Sequence, residues 1–197
     1  MTALKLKRAV FLDRDGVLNF PSIKNGKAYP PAHLDEVIIP SDARTALSSL
    51  IAHEFLLICV TNQPDVYRGS TNRETVESIN QIIKHNLQLD DVLTCYHDDC
   101  HDCLCRKPKP GLILSAAERY QIDLAQSFMI GDRWRDIEAG MNAQCKTIWL
   151  NSFNYDEQQP TKMNYTAKTL TDATSWILNY SNGRKNETHQ FESQNLR

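Results

Sequence analysis

"AVFLDRDGVLN", residues 9–19, decides the fold: four apolar residues run straight into Asp13, Arg14, Asp15 and Gly16. A short run that is apolar at every position suits a strand covered on both faces, as in a parallel sheet between two layers of helices. Two carboxylates at its carboxyl end stand where the ligand crevice of such a sheet opens.

Working outward, similar runs predict strands near 9–13, 55–61, 92–96, 127–131 and 146–150, with helical patterns over 42–53, 72–88, 110–121 and 134–142. Ser41, Thr71 with Glu74 three residues on, and Pro110 mark helix starts. Strands alternating with helices give an α/β fold, a Rossmann-like parallel sheet with helices on both faces. The 197 residues suffice for one domain, expected over 1–180, followed by a polar, frayed tail over 181–197. Residues 20–40 carry four prolines and a glycine and are expected to be mostly loop.

Composition narrows the partners. With 22 Lys and Arg against 24 Asp and Glu the net charge is −2, which supplies no basic surface for nucleic acid or an anionic membrane. The start, "MTALKLKRAVFLDRDG", meets charges too soon for a secretory signal or a membrane span, so a cytoplasmic protein, monomeric or a small homo-oligomer, is expected. In a reducing compartment Cys95, Cys100, Cys103 and Cys105, crowded into eleven residues, favour a metal over disulfides.

The predicted strand ends read "LDRDG", "CVTNQ" and "MIGDRWRD", and "CRKPKPG" follows the third strand. They bring together Asp13, Asp15, Asp132, Asp136, Thr61, Asn62 and Lys107. Carboxylates so concentrated repel one another unless a cation neutralises them, and hard oxygen ligands with open positions suit Mg²⁺. A cation, a lysine and a hydroxyl-plus-amide turn form a receptor for phosphate. Arg14, between the two acids, is expected to face away from Asp13 on an extended strand. Trp134 and Trp149 are expected to pack, and Cys59 and Cys145 to be buried as small hydrophobes.

These four segments, in this order, resemble the motifs of the haloacid dehalogenase (HAD) superfamily of phosphatases over roughly residues 9–150. The resemblance implies that Asp13 is the nucleophile that forms an aspartyl-phosphate, and that Asp15 is the acid and then the base. It implies that Asp13, Asp132 and the backbone carbonyl of Asp15 hold Mg²⁺, and that Thr61, the backbone at Asn62 and Lys107 hold the phosphoryl oxygens. Gly16 permits the turn behind the acids, and Asp136 is assigned to a metal-bound water or to orienting Lys107.

"CYHDDCHDCLC", residues 95–105, offers six ligands where tetrahedral zinc needs four. The branch of the superfamily that holds the heptose bisphosphate and histidinol-phosphate phosphatases has a similar loop with structural zinc. That match implies Cys95, His97, Cys103 and Cys105 as ligands, leaving Cys100 and His101 over. It also implies that no large cap domain is present and that Arg106 contacts substrate, with Arg68, Arg133 and Arg135 available to extend the field. The expected activity is Mg²⁺-dependent hydrolysis of a small phosphorylated sugar, a precursor of lipopolysaccharide or surface glycans. Histidinol phosphate is the alternative substrate. A non-catalytic zinc module is the distant one, and it gives no reason for Asp13, Asp15 and Asp132 to coexist.

Overall fold

The computed structural model describes residues 6–153 and 158–194. The first strand, β1 (Arg8–Leu12), leads through a short hairpin of β2 (Ser22–Lys24) and β3 (Lys27–Tyr29) into α1 (Ala43–Ala52). Then β4 (Phe55–Asn62), α2 (Arg73–Leu87), β5 (Asp91–Cys95), α3 (Gly111–Tyr120), β6 (Phe128–Gly131), α4 (Trp134–Asn142) and β7 (Lys146–Leu150) alternate. The short β8 (Tyr165–Ala167) and the long α5 (Leu170–Gln194) follow.

Six strands form one parallel sheet in the order β5-β4-β1-β6-β7-β8. The continuous apolar runs are explained by burial on both faces. Val10 and Leu12 of β1 pack on one side with α1, α2 and α5, while Ala9 and Phe11 pack on the other with α3 and α4. The chain builds outward from β1 to β5, then returns to place β6 against the other edge of β1. That reversal opens the crevice beyond β1, β4 and β6 and fixes where the site must be.

The structure adds a hairpin, a strand and a long helix to the sequence reading and moves two helix starts. Residues 20–40 are mostly loop, as expected, but they also hold the hairpin of β2 and β3, turned by Asn25 and Gly26, both at positive φ. The β8 strand and α5 were not expected. The start of α1 is Asp42 rather than Ser41, and the start of α2 is Asn72, whose side chain accepts the Thr75 N–H, rather than Thr71. The division expected at Ser181 falls inside α5, whose backbone runs on to Gln194; side chains from Arg184 on, and residues 195–197, lie outside the described residues. Among the described residues no helix is long and apolar enough to cross a membrane.

Candidate active site

Strand β1 ends at Leu12, and the Asp13 N–H still donates to Ile130 O of β6 at 3.0 Å, so Asp13 is held at the sheet's edge as rigidly as the strand itself. Its carboxylate is buried and meets the Lys107 ammonium at 2.6 Å. Burial pushes the Asp13 carboxyl up to about 6 against the pull of Lys107, with Asp136 and Asp15 adding to the rise.

Lys107 spends its three protons on three acceptors. Nζ lies 2.6 Å from Asp13 Oδ1, 2.6 Å from Asp136 Oδ1 and 2.8 Å from Val60 O. Burial alone would lower its pKa, but the two carboxylates hold the ammonium above the ordinary lysine range. The Asn62 side chain fixes the backbone that carries it: Nδ2 donates to Lys107 O at 3.0 Å and Oδ1 accepts Lys107 N–H at 3.1 Å. Asp136 Oδ1 contacts the Lys107 ammonium, and its other oxygen accepts Arg133 N–H at 3.0 Å in the first turn of α4.

Asp132 is buried beside this pair, and Trp149 Nε1 donates to its carbonyl at 3.0 Å, so Trp149 holds the turn as well as packing. Carboxylate oxygens of Asp13, Asp132 and Asp136 all lie within 4.8 Å of one another. The backbone is shaped around them. Gly16 has φ +104°, and a Cβ there would fall 1.9 Å from Asp132 Oδ2; one on Gly131 would fall 2.0 Å from Asp136 Cβ. Three buried carboxylates facing one ammonium leave negative charge in excess, which is the donor set a hard divalent cation fits. The Asp15 side chain is not in that set. It is taken up by Arg14, Asn19 and Gln63.

Asp13, Asp15, Thr61, Asn62, Lys107 and Asp136 line one cavity. Arg68, Arg106, Arg133 and Arg135 line it too, as do Ala28 and Tyr29 of the β2–β3 hairpin. Arg106 pairs with Asp99 at 2.8 Å and donates to His97 O at 3.2 Å, while Arg68 Nε donates to Asp98 at 2.7 Å. Both arginines therefore tie the cavity to the cysteine-rich loop.

In that loop the structure separates four of the six candidates from the other two. Ligand atoms of Cys95, His97, Cys103 and Cys105 all lie within 4.8 Å of one another. Cys95 Sγ is 3.2 Å from Cys105 Sγ, 3.9 Å from Cys103 Sγ and 3.6 Å from His97 Nδ1. A tetrahedron with ~2.3 Å metal–sulfur arms has edges of ~3.8 Å, so the cluster fits one ion. Cys100 is exposed, and His101 neighbours the cluster without joining it: its Nδ1 accepts Asp98 N–H at 3.1 Å, its ring is edge-on to Tyr67, and its centroid is 5.3 Å from that of His97.

The family model described as HAD-hydrolase-like matches residues 104–173. The D-glycero-beta-D-manno-heptose-1,7-bisphosphate 7-phosphatase of Helicobacter pylori is 35% identical over 157 residues, covering 75% of this chain and 85% of the relative. That of Pasteurella multocida is 32% identical over 185 residues, covering 87% and 97%. The chain belongs to the HAD-like phosphatases. A solved structure of D,D-heptose 1,7-bisphosphate phosphatase from B. bronchiseptica, complexed with magnesium and phosphate, superposes with a TM-score of 0.71 at 25% identity, covering 88% of this chain and 99% of that one.

In this HAD-like phosphatase the motif residues stand at the carboxyl ends of β1, β4 and β6, and Lys107 follows β5. Gln63 and Asn19, which the sequence reading did not single out, complete the layer behind them with Arg14. Gln63 Nε2 donates to Asp15 Oδ2 at 2.9 Å and to Thr61 Oγ1 at 2.8 Å, tying two motifs together. Asn19 Nδ2 donates to Asp15 Oδ1 at 3.2 Å. Arg14 is buried against Asp15. Gln63 stands inside the quoted "TNQ", so its proximity was legible; its two partners were not.

Proposed function

We propose that this phosphatase removes one phosphate from a small bisphosphorylated sugar, with D-glycero-D-manno-heptose 1,7-bisphosphate as preferred substrate. The observation that carries the reading is the buried triad of Asp13, Lys107 and Asp136 beside Asp132 at the reversal point of the sheet. Asp13 attacks phosphorus in line, forming an aspartyl-phosphate as the bond to the sugar oxygen breaks. Asp15 gives its proton to that departing oxygen, then takes one from the water that attacks phosphorus and frees Asp13. Lys107, Thr61 and the backbone at Asn62 hold the equatorial oxygens, and the Asn62 side chain keeps Lys107 in place. Asp13, Asp132 and the Asp15 carbonyl are the residues we assign to Mg²⁺, whose charge would let an anionic substrate approach the carboxylates.

Substrate choice follows from charge. Arg68, Arg106, Arg133 and Arg135 line the cavity with Asp65 and Asp99, and a second anionic group of the substrate would draw Arg68 and Arg106 from the carboxylates they pair with. Histidinol phosphate carries no second anionic group. A higher kcat/KM on the heptose bisphosphate than on histidinol phosphate is the expected result; equal values or the reverse order overturn the substrate assignment.

Cys95, His97, Cys103 and Cys105 are assigned to a structural zinc, since four protein ligands leave no open position. Cys105 immediately precedes Arg106 and Lys107, so an ion held there would order the segment that carries both. Purified protein should contain about one zinc per chain. Cys105→Ser should lose it and lower kcat/KM by on the order of 10–100-fold, the cost when support behind a functional group is removed. Full activity in a zinc-free protein contradicts the assignment.

A further inference from the structure

We propose that Arg14 is a positioning residue that, anchored by Asn80, aims one oxygen of Asp15 at the leaving group. The inference rests on the reading of Asp15 as proton carrier and extends it to how that carboxylate is held. Arg14 is 1% exposed, among the most buried side chains of the protein. Its Nε donates to Asp15 Oδ2 at 3.0 Å, and Nη2 lies 2.9 Å from the same oxygen. Gln63 Nε2 donates to that oxygen as well, at 2.9 Å. Oδ2 is thus gripped from the protein side by the edge of a guanidinium and an amide. Oδ1 has one longer contact, from Asn19 at 3.2 Å, and Asp15 lines the cavity.

The far end of the guanidinium is held too. Nη1 donates to Asn80 Oδ1 at 2.9 Å, and Asn80 Nδ2 donates to Thr94 Oγ1 of β5 at 3.0 Å. Asn80 sits on the buried face of α2 among Val76, Ile79, Ile83 and Leu87. An amide on such a face is costly unless its polar atoms are paired, and here the pairing is spent on Arg14. A planar guanidinium bonded at Nε to Asp15 and at Nη1 to Asn80 stops the carboxylate from rotating about its terminal bond, which a lysine's single ammonium does not do. In the chemical step the proton leaves Asp15 Oδ1 for the sugar oxygen as the phosphorus–oxygen bond breaks.

The test compares two leaving groups. Arg14→Gln and Arg14→Lys are assayed on an alkyl sugar phosphate, whose departing alkoxide needs a proton, and on p-nitrophenyl phosphate, whose phenolate does not. Both variants should lose about 10- to 100-fold in kcat/KM on the sugar phosphate and less than about threefold on the aryl ester. The reason is that kcat/KM reports formation of the aspartyl-phosphate, where only the sugar phosphate uses general acid catalysis, and leaves out the later base step common to both. Asn80→Ala, which leaves Arg14 in place, should show the same pattern at smaller size and covers the case in which the Arg14 variants do not fold. Equal losses on both substrates, or none on either, overturn the inference. Asp15→Asn separates the two levels. If it shows the leaving-group pattern and the Arg14 and Asn80 variants do not, the positioning role alone fails; if Asp15→Asn itself lacks the pattern, the reading of Asp15 fails.

Discussion

Asp13→Asn should lower kcat by roughly 10⁴–10⁶-fold, the range seen when a hydrolase loses a member of its nucleophilic unit, while the protein stays folded. Asparagine keeps the shape and an acceptor for Lys107 but is no nucleophile toward phosphorus. Stability should move the other way in the metal-stripped protein. Burial lifts the Asp13 carboxyl to about 6, above the ~3.9 of an unfolded aspartate, so its ionised form is a burden on the fold. This group's contribution is most favourable below ~pH 4 and is lost as pH rises through about 6. Asp13→Asn should therefore be at least as stable as the wild type at pH 7–8 in chelator, with any advantage shrinking on acidification. Denaturation of both proteins across that range, beside single-turnover assays, checks the two halves. A kcat within tenfold of wild type defeats the nucleophile assignment.

Lys107→Met is the second large effect. The ammonium is the shared cation of two buried carboxylates, so its loss leaves Asp13 and Asp136 close together without it. Removing one partner of a buried pair costs about 3–5 kcal/mol. Losing one donor to the transferred phosphoryl group costs a further factor of roughly 10²–10³ in kcat. Because the stability loss comes from unbalanced negative charge, Mg²⁺ should recover part of it, and the variant should gain more from added Mg²⁺ than the wild type does. Urea denaturation with and without Mg²⁺ measures this. A loss in chelator no larger than the ~0–1 kcal/mol of an exposed ion pair shows that Lys107 does not balance the site.

What could be read from the residues depended on how local the cause was. The strands of the sheet centre were legible because burial on both faces leaves an unbroken apolar run, as in Ala9–Leu12 and Leu56–Val60. The hairpin was hidden by its prolines, although Asn25-Gly26 is a strong turn signal. Helix α5 carries its own marks. Leu170, Ala173 and Ile177 recur on one face, and Thr169 Oγ1 accepts Asp172 N–H at its start, but the polar stretch after it masked the period. Carboxylates at strand tips identified the site because the switch point of the sheet is set by topology. Arg14 and Asn80 were out of reach: they meet across 66 positions, and only the folded sheet brings α2 to the turn that follows β1. The surplus of ligands in the cysteine-rich loop is likewise sorted by geometry, which groups the ligand atoms of Cys95, His97, Cys103 and Cys105 and sets the His101 ring between Tyr67 and His97.

The most direct test of the account is to quench the enzyme in acid during turnover of a substrate with radiolabelled phosphate and to map the labelled peptide. Label bound covalently to Asp13, and absent from Asp13→Asn, is the predicted result. Label on another residue, or none under conditions where hydrolysis of the intermediate limits the rate, contradicts it.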